Sequence, residues 1–239
     1  MTAQSASSST EHCKPITPFL TVHDAPVYFQ EDWNTGIGGG LWSTGLAMAH
    51  YFCSESARNS VMRLAAPAET KKPLRVLELG SGNGFLSVCL LAMARDYIDT
   101  LVVTDVADHL PLIEKTVAAN QHLIVAADDH HPVAKIIIKE HNWGEFENNM
   151  EETFNLILGS DVAYRPYLYD PLISSLSHYS DSNTISLIGV TMSDTTPAFF
   201  VKLQKAGFSY TRLNDFLMHT NFQGTTFAIF VIRKKANVL

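Results

Sequence analysis

Hydrophobic residues along this chain fall into two kinds of block that alternate from residue 74 onward. Short runs with little polar interruption, over 74–79, 101–104, 134–139, 154–159 and 184–190, are rich in Leu, Ile and Val. Such runs predict strands buried on both faces. Between them, 85–94, about 108–121, 171–179 and 197–206 carry apolar residues at helical spacing. Pro111 falls in the first turn of its helix, where its missing N–H is no loss, and Gly207 stops the last helix. Two further strands, 208–213 and 226–233, have no helix between them and predict an antiparallel pair. Strands alternating with helices in this way build an α/β, doubly wound domain, mostly parallel with an antiparallel last strand. Ligands of such sheets bind at the carboxyl ends of the first strands.

Upstream of residue 74 the pattern is less regular. Residues 19–29 predict one or two short extended segments around Asp24-Ala25-Pro26, and Gly36-Ile37-Gly38-Gly39-Gly40 a flexible loop. Behind that loop, Trp42, Leu46, Ala49 and Cys53 repeat at one helical face and predict a helix buried along that stripe. Residues 65–73, small and Pro-containing, form a linker between elements. The first eighteen residues are Ser-rich with no apolar block and no Arg, a poor match to a targeting peptide. Residues 1–30 are therefore expected to be a flexible tail with a short extended segment, and 31–239 the folded domain.

Composition sharpens this reading. The chain has 239 residues, 46% apolar and 17% charged, so it can bury a substantial core. At roughly 150 residues per domain, it is one large unit or two small ones. The longest apolar-leaning run, 86–94, is far short of the roughly 18 residues a bilayer requires. A formal net charge of −7 argues against tight binding of a nucleic-acid backbone. Cys13, Cys53 and Cys89 are widely spaced with no Cys-x-x-Cys pair, which disfavours a disulfide framework or zinc ribbon and points to cytoplasm, or nucleus as well. Cys53 and Cys89 are expected as small core residues.

Candidate chemistry begins where the first strand of the regular region ends: Leu77-Glu78-Leu79-Gly80-Ser81-Gly82-Asn83-Gly84. Glycines there allow a sharp turn and a close approach of ligand to backbone, although a turn required only for packing would look the same. The dinucleotide fingerprint needs a small sixth residue, and here that residue is Phe85. No Lys follows the glycines, which excludes a P-loop. Asp105, ending the next strand, is placed to accept both hydroxyls of a ribose, or else to cap the following helix. An adenosine ligand without phosphates fits this combination best.

That combination resembles the seven-strand, Rossmann-like methyltransferases that use S-adenosyl-L-methionine. Downstream, Asn142-Trp143-Gly144 follows the third strand and Ser160-Asp161-Val162-Ala163-Tyr164 ends the fourth, while Gly40-Leu41-Trp42 opens the upstream helix. With these motifs the chain, from about Gly36 to Lys234, is similar to the eukaryotic protein-lysine methyltransferases of the methyltransferase-like 21 group and its relatives. The resemblance implies that Gly80, Ser81, Gly82 and Gly84 line the methionine and ribose portion of the cofactor and that Asp105 takes the ribose. It implies that Trp143 flanks the adenine, Ser160 touches the cofactor and Trp42 closes the pocket. A flat apolar partner is worth roughly 0.5–1.5 kcal/mol to an adenine ring beyond burial. Glu78 is expected to meet the cofactor's ammonium, directly or through water.

Asp161 and Tyr164 are the expected catalytic pair. A free lysine with pKa about 10.4 is neutral about once in 2,500 at pH 7, a handicap of about 4.6 kcal/mol. A carboxylate favours the ammonium form, so the task of Asp161 is to capture and orient the incoming nitrogen, with Tyr164 holding the aliphatic stem or sharing the hydrogen bond. The competing structural role for Asp161 is to cap the helix entered at Arg165-Pro166. Methyltransferases acting on adenine or amide nitrogens usually carry a Pro-Pro pair after the fourth strand, which this chain lacks. The resemblance therefore implies a protein substrate presenting a lysine, drawn from translation elongation factors, chaperones or ATPases, and an enzyme without nucleic-acid or membrane partners. A monomer is the default. The alternatives are transfer to a small amine or another side chain, or a non-catalytic cofactor-binding module. Asp128-Asp129-His130-His131, with His141 nearby, is an exposed connection rather than a metal site, because adjacent residues do not converge on one ion.

Overall fold

The computed structural model describes residues 20–66, 73–125, 134–146 and 153–236. The N-terminal tail with Cys13, most of the 65–73 linker and the Asp128-Asp129-His130-His131 cluster lie outside the described residues. The described chain opens with a small antiparallel pair, β1 (Thr21–Val22) and β2 (Ala25–Pro26), then two helices, α1 (Ser43–Cys53) and α2 (Glu55–Ala65). The regular region follows as β3 (Leu74–Leu79), α3 (Phe85–Ala94), β4 (Ile98–Asp105), α4 (Leu110–Ala119), α5 (Gln121–Ile124) and β5 (Lys135–Glu140). It continues as β6 (Leu156–Ser160), α6 (Tyr169–Tyr179), β7 (Ile185–Thr191), α7 (Pro197–Lys205), β8 (Phe208–Arg212) and β9 (Phe227–Lys234).

The large strands form one 7-stranded sheet in the order β5-β4-β3-β6-β7-β9-β8. All run parallel except β9, which is antiparallel to both β7 and β8. The expected arrangement, a mostly parallel sheet with an antiparallel last strand, is the observed one.

Side-chain alternation along the strands feeds two cores. Val76, Leu101, Val103, Leu156, Leu158 and Leu187 face one side, against α1, α2, α3, α4 and α5. Leu77, Leu79, Val102, Ile157, Ile188 and Val190 face the other, against α6 and α7. The extended segment also joins the first core: Leu20, Val22, Val27 and Phe29 are buried, and Phe29 meets Phe85 of α3 edge-on at 5.4 Å. Asn120 anchors that segment by accepting the Tyr28 N–H at 2.8 Å and donating to the Tyr28 carbonyl at 2.6 Å.

Four expectations upstream and around α4 are corrected. The helix at 43–53 forms, but Trp42 precedes it and is exposed, and Cys53 is exposed rather than core, whereas Cys89 is buried as expected. The buried face is instead Thr44, Gly45, Ala47, Met48, Ala49, Tyr51 and Phe52, because α1 lies on the sheet, on α2 and on α3 together and needs a broad face. The glycine-rich loop is not flexible coil. Asp32 N–H donates to the Gly39 carbonyl at 2.8 Å, and 3-10 turns at Trp33–Thr35 and Ile37–Gly39 fold it into a strap. The helix expected over 108–121 starts with a 3-10 turn at Ala107–His109 and breaks at Asn120, whose side chain serves Tyr28. Lastly, α2 had no counterpart in the sequence reading.

Candidate active site

Strand order reverses between β3 and β6, so the connections leaving these neighbours diverge and open a cleft at their carboxyl ends. A cavity of about 1060 Å³ occupies this place. It is walled by the glycine loop, the ends of β4 and β6, the Trp143 turn, the N-terminus of α1 and the strap.

The glycine loop carries the chain from β3 into α3 with Gly80, Gly82 and Gly84 at φ 65°, 58° and 78°. Those angles suit glycine, and close approaches add a second demand at the first two positions. A Cβ on Gly80 would fall 2.7 Å from Trp143 Cζ2, and one on Gly82 would fall 2.7 Å from the Gly38 carbonyl oxygen of the strap. Asp105, at the end of β4, holds this loop. Its Oδ2 accepts the Gly82 N–H at 2.7 Å, and its Oδ1 accepts the Val106 N–H at 2.7 Å and faces His109 Nδ1 at 2.6 Å.

Of the cofactor residues expected from sequence, Trp42, Gly80, Ser81, Gly82, Asp105, Trp143 and Ser160 all line the cavity, as do Asp161 and Tyr164. Glu78 and Gly84 do not. Glu78 alternates with Leu77 and Leu79, so its side chain points into the first core, fully buried, and accepts a hydrogen bond from Ser87 of α3. Burial pushes its pKa up to about 8 against the opposing effect of the Ser87 bond, and its Oε1 has no hydrogen-bond partner among the described residues. Gly84 supplies the left-handed turn that caps α3 and packs against Ile113.

The geometry and donor set fit S-adenosylmethionine. Ser81 Oγ and Asn83 Nδ2 belong to buried residues lining the cavity and have no hydrogen-bond partner among the described residues. Buried polar atoms are rarely left unpaired, and a zwitterionic amino-acid end with a ribose would satisfy them. Trp143 presents an indole beside the loop, and Asp105 presents a carboxylate at the wall.

Asp161 sits at φ 55°, a left-handed conformation that Asp tolerates better than most residues. Its Oδ1 accepts the Thr191 hydroxyl at 2.9 Å and its Oδ2 accepts the Thr44 N–H at 3.0 Å. The cap it provides is therefore for α1, across the cavity, and not for the helix after Arg165-Pro166. Tyr164 is half-buried, its phenol pKa raised chiefly by burial, and the Arg165 guanidinium lies 5.9 Å from its ring centre. On the opposite rim, Trp42 donates its indole N–H to the Ile37 carbonyl at 2.7 Å and meets Trp33 edge-on at 5.9 Å.

Sequence reasoning missed Asn83, His109, His141 and Thr191 as wall residues. Asn83 stood inside the quoted glycine loop, where its side chain also accepts the Phe85 N–H at 3.1 Å, a recognisable turn role. His141 stood two residues before Trp143; its Nε2 lies 2.9 Å from Ser175 Oγ, and burial pushes its pKa down to about 4, so it is neutral. His109 and Thr191 gave no signal.

Comparison with known proteins agrees with this geometry. Residues 22–206 match a family model described as lysine methyltransferase. The chain is 21% identical to mouse protein N-lysine methyltransferase METTL21A over 84% of this chain and 82% of that one. It is 23% identical to EEF1A lysine methyltransferase 3 of Xenopus tropicalis over 63% of this chain and 56% of that one. Among solved structures, the glycopeptide N-methyltransferase MtfA complexed with S-adenosylmethionine superposes with a TM-score of 0.54 at 12% identity, covering 79% of this chain and 94% of that one, a likeness of fold. The chain thus belongs to the lysine methyltransferase family and is an enzyme whose methyl donor is S-adenosylmethionine.

Proposed function

We propose that the chain transfers a methyl group to the ε-amine of a lysine on a folded cytosolic protein, of the elongation-factor or chaperone and ATPase class, and that it works as a monomer. The observation that carries this reading is the convergence of Asp161, Tyr164 and Trp42 on the same cavity as Asp105, Trp143 and the glycine loop. The cofactor supplies an electrophilic methyl on a sulfonium centre. Asp105 anchors the ribose, Trp143 flanks the base, and Ser81 with Asn83 offers donors to the amino-acid end. Asp161 keeps lone pairs beyond those used by Thr44 and Thr191, and with them receives the lysine nitrogen and sets its line of approach. Once the acceptor protein covers the rim, exclusion of water around Tyr164 and Trp42 disfavours the ammonium and favours the neutral, nucleophilic amine.

A lysine stem is long enough to reach into the cavity while its parent protein stays outside. The exposed aromatics Trp33 and Trp42 at the rim suit a protein surface better than a free amine. The elongation-factor class is supported by the name of the Xenopus relative. The net charge of −7 favours a basic acceptor surface, so transfer should weaken as salt is added. Incubation with isotopically labelled cofactor and a cell lysate, followed by mass spectrometry, tests the reading. Methyl mass on lysine in one or a few proteins is expected. Label confined to RNA, to arginine or histidine, or to small molecules would overturn it.

A further inference from the structure

His109 belongs to the wall of the cofactor cavity, yet the mechanism above gives it no part. It is 6% exposed and stands between two acceptors. Its Nδ1 lies 2.6 Å from Asp105 Oδ1, and its Nε2 lies 3.0 Å from the Thr35 carbonyl oxygen. A carboxylate and a carbonyl only accept, so both ring nitrogens carry protons when both bonds are made: the ring is an imidazolium. The hydrogen bond to Asp105 holds its pKa above the ordinary imidazole value, and the charge of Asp108 acts in the same direction.

Thr35 belongs to the strap, and the strap lies directly on the glycine loop. A Cβ on Gly38 would fall 2.3 Å from His109 Cε1, while the Gly38 carbonyl oxygen bears on Gly82. Gly38 is therefore wedged between the imidazole and the loop. Asp105 ties the other side of this assembly together through Gly82 N–H. Strap, glycine loop and ribose anchor meet at one ring.

We propose that His109 is a positioning residue, clasping the strap to Asp105 so that the strap closes over bound S-adenosylmethionine and slows its escape. The inference rests on Asp105 being the ribose anchor. When the ring loses a proton, one of its nitrogens becomes an acceptor facing an acceptor, and one end of the clasp opens. The charged groups acting on the ring are Asp105 from β4 and Asp108 from its own turn; the strap faces it with the Thr35 carbonyl and Gly38. Protonation closes the clasp, so rising pH opens it.

The chain's 3 tryptophans, Trp33, Trp42 and Trp143, all lie at the strap or in the cavity, so their emission reports release of the cofactor. Stopped-flow displacement of S-adenosylmethionine from the full chain, between about pH 6 and about pH 9, reads the dissociation rate. In the wild type the rate should rise about tenfold across the range, the effect of losing one charge-assisted hydrogen bond. His109→Gln, which cannot titrate, should release the cofactor fast and lose most of the pH slope, leaving only what Glu78, titrating near 8 under the glycine loop, contributes. Asp108→Asn, an exposed change outside the cavity, should keep the slope and move its midpoint to lower pH. A flat wild-type profile, or a Gln variant with wild-type rates and slope, overturns the clasp while leaving cofactor binding intact. Absence of binding by the wild type at every pH overturns the clasp and the ribose-anchor reading together.

Discussion

Replacing Asp161 by Asn takes a negative charge out of the cavity and changes little else. The residue is held at φ 55°, which Asn adopts as readily as Asp and Ala only with strain. An Asn carbonyl can accept the Thr44 N–H in place of Oδ2, and its amide can donate to the Thr191 hydroxyl that Oδ1 now accepts. Both contacts survive as neutral bonds, at a cost of about 1 kcal/mol, or a fall in Tm of about 2–4 °C for a chain this size. Asp161→Ala loses both contacts, leaves the first turn of α1 without its cap and adds left-handed strain, together about 2–4 kcal/mol. If the carboxylate also receives the lysine nitrogen, the Asn variant should lose methyl transfer by about a hundredfold while binding cofactor normally. Thermal unfolding, titration calorimetry and initial rates of lysine methylation, measured on the same preparations, separate these contributions. An Asn variant with a lowered Tm and wild-type turnover would refute the catalytic assignment and leave Asp161 as a cap contributed from β6 to α1.

Asp105→Ala removes the ribose acceptor and frees the Gly82 N–H, so calorimetry should show S-adenosylmethionine binding weakened by about tenfold or more; equal affinities would remove Asp105 from the site. Gly82→Ala forces a Cβ toward the Gly38 carbonyl at a left-handed φ, and should abolish cofactor binding while leaving the circular dichroism of the fold unchanged. Glu78 keeps its proton in the folded chain up to about pH 8, whereas the unfolded chain sheds it near 4.5. Its protonated, burial-compatible form is thus fully present below that lower value, and stability should fall as pH rises toward 8. Glu78→Gln should flatten that slope in urea unfolding at about pH 6 and about pH 8; an unchanged slope would contradict burial as its cause.

How much of this was legible in the sequence depends on how local each cause is. The ends of β3 and α3 follow from the glycines between them, and Asp105 follows from its place at the end of β4. Even the inward turn of Glu78 was available, because strand residues alternate and Leu77 and Leu79 claim the other face. The helix α2 escaped notice because its sequence is mostly polar and buries only Val61, Met62 and Ala65. The face of α1 was misjudged for the opposite reason: it packs on more than one layer, so no single stripe of large residues marks it. The bonds of Asp161 were out of reach. Thr44 lies 117 positions away in sequence and Thr191 lies 30 away, and each becomes a neighbour only when the sheet is complete. The clasp at His109 has the same character, since its strap partner, Thr35, is 74 positions away.

The place of β9 bears on when this chain can fold. Among the described residues it is the last strand along the sequence, yet it lies inside the sheet, pairing with β7 from Ile185 to Thr191 and with β8 from Phe208 to Arg212. During synthesis β8 leaves the ribosome with no neighbour to pair with, and the outer flank of β7 stays bare until residues 227–234 follow. Cooperative closure of the sheet is thereby deferred until residue 234 has been made, and pairing that must wait for a later strand is slow. A chain interrupted before Phe227 would lack β9 and leave β8 unplaced, and with them would go the floor beneath α7.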